Sequence, residues 1–159
     1  MTPFRHRLGG LLGTIFLLTL ATIAAQPRKD VARKDLEAAL HVGKTVVLVV
    51  APATKRAADD ESYGDWADAL NDFSAHAGAG ADVRIFQLTP LRLSQLLVAP
   101  RIKHEFAVLF LRDTEHALVY DGQVVERKVY DLGLAYAKGR PDEKLQSSYG
   151  LQEKTTRFK

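Results

Sequence analysis

Thr45-Val46-Val47-Leu48-Val49-Val50 is an unbroken run of strand-forming residues, ended by Ala51-Pro52. A strand with one wet face alternates apolar and polar residues, so six apolar or β-branched residues in a row predict a strand covered on both faces. Such a strand belongs at the centre of an α/β sheet. Working outward, residues 31–42 predict a helix, with Val31, Leu36, Ala39 and Leu40 near one stripe and Gly43 as its stop. Residues 63–76 predict a second helix, with Trp66, Ala69, Leu70 and Phe73 on one face and Asp65, Asp68 and Asp72 mainly on the other.

Residues 82–88 alternate around Val83, Ile85 and Leu88 and predict a second strand. Thr89-Pro90 opens a short helix through Leu91, Leu93, Leu96 and Leu97, with proline at a first-turn position. Residues 106–111 and 117–120, joined by the turn 112–115, predict a hairpin, and Asp121-Gly122 marks a further turn. A last helix falls within 124–138, ended by Gly139 and Pro141. Residues 139–159 are mostly polar, with Tyr149, Leu151 and Phe158 isolated among them. They predict a tail that is partly disordered or docked on the surface.

The first residues predict export. Arg5, His6 and Arg7 precede an apolar run over 8–23, closed by Ala24-Ala25. A basic start, an apolar middle and small residues at the end make a secretory signal peptide over 1–25, with cleavage after Ala24 or Ala25. Residues 26–30 then form a flexible lead. If the run is not cleaved it serves as an N-terminal anchor; in both cases the domain at 31–138 is exported to a periplasmic or secreted location.

Loss of Arg5 and Arg7, with no acid, takes the net charge from +3 to +1, so the basic balance is partly a property of the leader. A nucleic-acid partner, which needs a clustered basic face, is not expected. With no cysteine in the chain, disulfides, cysteine zinc sites and thiol nucleophiles are excluded.

The order helix, buried strand, long helix, strand, short helix, hairpin, helix resembles the thioredoxin-like family over about residues 31–138. The residues that carry the resemblance are the entry helix around Asp35-Leu36-Glu37-Ala38-Ala39-Leu40, then Gly43-Lys44 and the central strand 45–50, and the hairpin 106–111 with 117–122. The resemblance implies a three-layer α/β/α sandwich whose mixed sheet ends in an antiparallel hairpin. It also implies a redox pair after the central strand and a cis-proline just before the hairpin. Here 52–63 holds no cysteine, and Lys103-His104-Glu105-Phe106 stands at the proline's place, with Pro100 several residues early. Thiol–disulfide exchange is therefore excluded.

Two segments remain as candidate partner-binding surfaces. The first holds Lys55, Arg56, Asp59, Asp60 and Glu61; the second holds Arg101, Lys103, His104 and Glu105. The three acids lack the ligand spacing of a calcium loop, and their ordinary role is to favour a helix N-terminus. His104 beside Glu105 has acid–base capacity, yet neighbours on an extended segment point to opposite faces. His41, His76 and His116 share no metal-binding spacing, and Gly78-Ala79-Gly80 precedes a strand rather than a phosphate-binding helix. No metal or cofactor is expected. The sequence thus predicts an exported, redox-inactive and non-catalytic protein-binding scaffold whose partner is another envelope or secreted protein. Small size and export also fit an inhibitor or immunity-type protein, and a cysteine-independent enzyme built on His104 or the acidic loop is the third reading.

Overall fold

A computed structural model describes residues 31–77, 82–98, 101–123 and 126–159. The expected signal peptide, the lead at 26–30, Gly78-Ala79-Gly80 and Pro100 lie outside the described residues. The elements run α1 (Arg33–His41), β1 (Thr45–Val50), α2 (Asp60–Ala77), β2 (Val83–Leu88), α3 (Pro90–Leu96), β3 (Ala107–Leu111), β4 (His116–Asp121), α4 (Arg127–Ala137), α5 (Glu143–Ser148) and β5 (Gln152–Thr155). The fold is α/β, with one mixed open sheet in the order β2-β1-β3-β4-β5. β1 and β2 are parallel, whereas β3 runs antiparallel to β1, β4 to β3 and β5 to β4.

All six residues of β1 are buried, because helices cover the sheet on both faces. Side chains alternate along a strand, so β1 feeds two cores. Val47 and Val49 pack with Trp66, Leu70 and Phe73 of α2 and with Val129, Tyr130, Leu132 and Tyr136 of α4. Val46, Leu48 and Val50 pack with Leu36 and Ala39 of α1, Leu93 and Leu96 of α3, and Phe158. Among the described residues no helix is long and apolar enough to cross a membrane.

Local chemistry sets the boundaries. Asp35 accepts from the Ala32 N–H at 2.9 Å and starts α1. Thr89 Oγ1 accepts from the Arg92 N–H at 3.2 Å, and Pro90 occupies the first turn of α3, as its missing N–H allows. α2 begins three residues earlier than the periodicity predicts. Asp59 Oδ1 accepts from the Glu61 and Ser62 N–H groups at 2.9 and 3.1 Å, which supplies partners for the first turn and extends the helix to Asp60. Asp113 Oδ1 accepts from the Glu115 and His116 N–H groups, both at 2.7 Å, and closes the β3–β4 turn.

The segment expected as a polar, partly disordered or docked tail forms a helix and a strand of the sheet. β5 pairs with β4 from His116↔Thr155 to Val119↔Gln152. Leu151 is buried in the core beneath α2 and α4, and Phe158 in the core beneath α1 and α3, so the tail closes both. Beyond β5, Leu97 and Phe158 form a bridge and the Val98 N–H donates to the Arg157 carbonyl at 2.7 Å. The polar sequence of β5 follows from its edge position, where backbone pairing rather than apolar side chains holds the strand.

Candidate functional site

Register places both predicted segments at one end of the sheet. Val50, the last residue of β1, pairs with Ala107, the first of β3, and Ala107 pairs with Asp121, the last of β4. The chain leaving β1 through residues 55–61 and the chain entering β3 through 101–105 therefore emerge side by side. Lys55 and Arg56 lie exposed on a short 3₁₀ turn, Lys55–Ala57. Asp59 is engaged in capping α2, and Asp60 and Glu61 are exposed in its first turn, where the helix dipole favours acids.

An aromatic cluster joins the two segments from below. Tyr63 and Trp66 of α2 approach each other with ring centroids 5.5 Å apart, and Phe106, which follows the second segment, lies 6.4 Å from Tyr63 and 5.7 Å from Trp66. Trp66 and Phe106 are buried. Gln123 Nε2 donates to the Ser62 carbonyl at 2.8 Å and fastens the chain after β4 to the same place. Among the described residues no hydrogen bond or ion pair links 55–61 directly to 101–105.

The second segment is fixed by Asp121, which the sequence reading assigned only to a turn. Its carboxylate accepts from the Lys103 N–H at 2.8 Å and the His104 N–H at 3.1 Å, and His104 Nδ1 lies 3.2 Å from Oδ1. Partial burial by itself would raise the Asp121 pKa. The two backbone N–H groups and the His104 ring outweigh it and hold the carboxyl below its ordinary range. Glu105, adjacent in sequence, takes no part in this arrangement.

Among the described residues the His104 hydrogen bonds run to Asp121 and no hydroxyl nucleophile is bonded to the pair, which fastens a loop. Arg101 and Ile102 turn toward α3, where they line an open groove of about 320 Å³ with Leu93, Leu97 and Val98. Among the described residues no group of three or more His, Asp or Glu side chains is placed to hold a metal ion.

Comparison with protein-family models, with curated proteins and with solved structures finds no match.

The side chains that the sequence reading missed are those acting across long separations. Asp121 meets Lys103 and His104 from 18 and 17 residues away, and Gln123 meets Ser62 from 61. The one available signal was register. Once 106–111 and 117–120 are paired as a hairpin, an acid at its open end faces the entry to its first strand.

Proposed function

We propose that the chain is an exported, redox-inactive thioredoxin-like domain that binds another envelope or secreted protein through the end of the sheet formed by 55–61 and 101–105. The pairing of Val50 with Ala107 carries this reading, because it brings both segments to one surface. The parallel β1–β2 pair, the antiparallel β3 beside β1 and the closing β3–β4 hairpin support the thioredoxin-like assignment, with β5 as an added edge strand.

The exposed groups there are of mixed sign: Lys55, Arg56, Arg101 and Lys103 beside Asp60, Glu61 and Glu105. Mixed charge on a firmly held surface suits recognition of a protein with the complementary pattern, and it governs association rate and specificity more than affinity. Asp121 and the aromatic cluster hold the segments in place, which lowers the ordering cost of binding.

The test is a photo-reactive cross-linker placed singly at Lys55, Lys103 and, as a control on α1, Lys34, in the full chain made in its own cell. Positions 55 and 103 give the same adduct of defined mass, position 34 does not, and the adduct is lost when Arg56→Glu and Arg101→Glu are added. Equal labelling from position 34, or no adduct at 55 and 103, refutes the scaffold reading. A toxin or hydrolase in the adduct assigns the inhibitor or immunity-type role instead.

A further inference from the structure

The opposite end of the sheet carries a second arrangement of charge that the scaffold reading does not use. α1 and α4 both end there in left-handed glycines, Gly43 at φ 72° and Gly139 at φ 71°. The following amides bond back into each helix, from Lys44 to the Ala39 carbonyl at 2.9 Å and from Arg140 to the Ala135 carbonyl at 2.8 Å. The two helix ends thus converge on the start of β1 and the end of β3. An open cavity of about 410 Å³ lies between them, lined by Lys44, Thr45, Arg112, Lys138 and Arg140 together with Asp82. Four cations line it with Asp82, whose carboxylate pairs with Lys44 at 3.8 Å, so Arg112, Lys138 and Arg140 are the cations left to face a ligand. A second open cavity of about 610 Å³ shares Leu40 and Arg112 with the first and continues over Ala38, His41 and Thr114, with Glu37 and Asp113 also in its lining.

Cations beside helix C-termini ordinarily offset the helix dipole. That accounts for Lys44, Lys138 and Arg140 but not for Arg112, which follows β3 and belongs to no helix. Arg112 is held from behind. Its guanidinium carbon lies 5.4 Å from the centre of the Tyr136 ring, and its nitrogens lie 3.7 Å from Asp113 and 3.8 Å from Glu153.

Neither carboxylate is within hydrogen-bond distance, so these contacts orient the guanidinium without consuming its donors. Tyr136 donates to Glu153 at 2.9 Å. Burial first, and then the neighbouring Glu153, push the Tyr136 phenol well above its ordinary pKa. Lys138 and Arg140 are exposed and form no ion pair among the described residues. An oriented guanidinium beside two such cations matches the paired oxygens of a carboxylate or phosphate.

We propose that this end of the sheet binds a small molecule bearing an oxyanion group. The oxyanion sits between Arg112, Lys138 and Arg140, and the apolar body of the ligand lies over Ala38 and Leu40. The site is about a sheet's length from the partner surface, and the two are independent.

Titration of the full chain with inorganic phosphate, phenyl phosphate and phenylacetate, followed by backbone amide NMR shifts, tests the proposal. At least one phenyl ligand produces saturable shifts at 43–45 and 138–140 and binds at least tenfold more tightly than inorganic phosphate. The tighter of the two names the headgroup. Arg112→Gln and, separately, the exposed double variant Lys138→Ala/Arg140→Ala each weaken it about tenfold, whereas Lys103→Ala at the far end leaves it unchanged. Absence of saturable shifts with all three probes overturns the proposal, as does binding that the double variant leaves intact.

Discussion

Two glycines in helix interiors make opposite predictions for the same substitution. Gly133 lies on the buried face of α4, where an added Cβ would sit 2.3, 2.3 and 2.4 Å from Cδ2, Cε2 and Cγ of Phe110. Carbon atoms pack best at about 3.5–4.0 Å, so Gly133→Ala must part helix and ring by more than about 1 Å. The ring has nowhere to go. Phe110 is fully buried and meets Tyr130 edge-on at 6.4 Å, and Tyr130 is stacked on Phe73 at 4.0 Å. Lifting α4 instead would loosen Val129, Leu132 and Tyr136, all packed in the same core.

Overpacking of this kind costs about 1–3 kcal/mol, and the displacement argues for the upper end. The helix preference for alanine over glycine returns about 1 kcal/mol. The net expectation for Gly133→Ala is a loss of about 2 kcal/mol, or a fall in midpoint of roughly 1 M urea. At Gly64, in α2, an added Cβ meets no atom within 4 Å. Gly64→Ala should therefore stabilise by about 0.5–1 kcal/mol. Urea unfolding of both variants, with Phe110→Leu alone and in combination with Gly133→Ala, separates packing from propensity. Trimming the ring should rescue Gly133→Ala, with a coupling of about 1 kcal/mol or more. Equal signs at the two glycines, or additivity of Gly133→Ala with Phe110→Leu, would refute the reasoning.

Asp121→Asn should free the second segment: amide exchange at Lys103 and His104 quickens, and stability falls by about 1 kcal/mol, with exposure keeping the loss small. Because the folded-state pKa of Asp121 lies below its ordinary value, its contribution is complete above that value and fades as pH falls through the folded one. The wild-type protein should accordingly lose more stability on acidification below about pH 4 than Asp121→Asn does. Leu151→Ala, at a buried residue between α5 and β5, should cost about 2–3 kcal/mol in urea unfolding; a tail that is merely draped on the surface would show almost no effect. Trp66 is the sole tryptophan and is buried, so its emission should shift to the red and become accessible to acrylamide only on unfolding; ready quenching in the native state would contradict its place beneath the candidate surface. If the proposed export signal is cleaved, N-terminal sequencing of the protein made in its own cell should begin at Ala25 or Gln26, and an intact Met1 would favour the anchor reading.

The elements legible in the sequence were those whose side chains record their surroundings. β1 is apolar throughout because both its faces are covered, and α2 repeats Trp66, Leu70 and Phe73 because one side meets the sheet. Thr89-Pro90 and Gly43 announced helix ends through local chemistry alone. The two candidate segments could be placed at one end of the sheet only through the family resemblance, not from their own residues. What fastens them could not. Asp121 serves as an acceptor for amides across the hairpin, and an aspartate before a glycine reads as a turn whatever its carboxylate does.

The last twenty residues show how a segment can be structural without looking so. Gln152, Glu153 and Thr155 are exposed on an edge strand, so burial never selected apolar residues there. The segment is held by backbone pairing to β4 and by Leu151 and Phe158, which anchor its two ends in opposite cores. Their spacing of seven residues, an odd number, is itself informative, because side chains an odd number apart on an extended chain point to opposite faces. Glu153 then receives the Tyr136 hydroxyl, and Tyr136 backs Arg112. A tail expected to be partly disordered or docked on the surface thus helps to orient the guanidinium at the proposed oxyanion site. Glu153→Gln, which preserves an acceptor but removes the charge near Arg112, should leave β5 paired and alter oxyanion affinity, whereas Leu151→Ala should loosen β5 and weaken affinity together. If Leu151→Ala loosened β5 while the proposed site bound its ligand unchanged, Arg112 would be positioned by the β3–β4 turn alone and the link through the tail would be wrong.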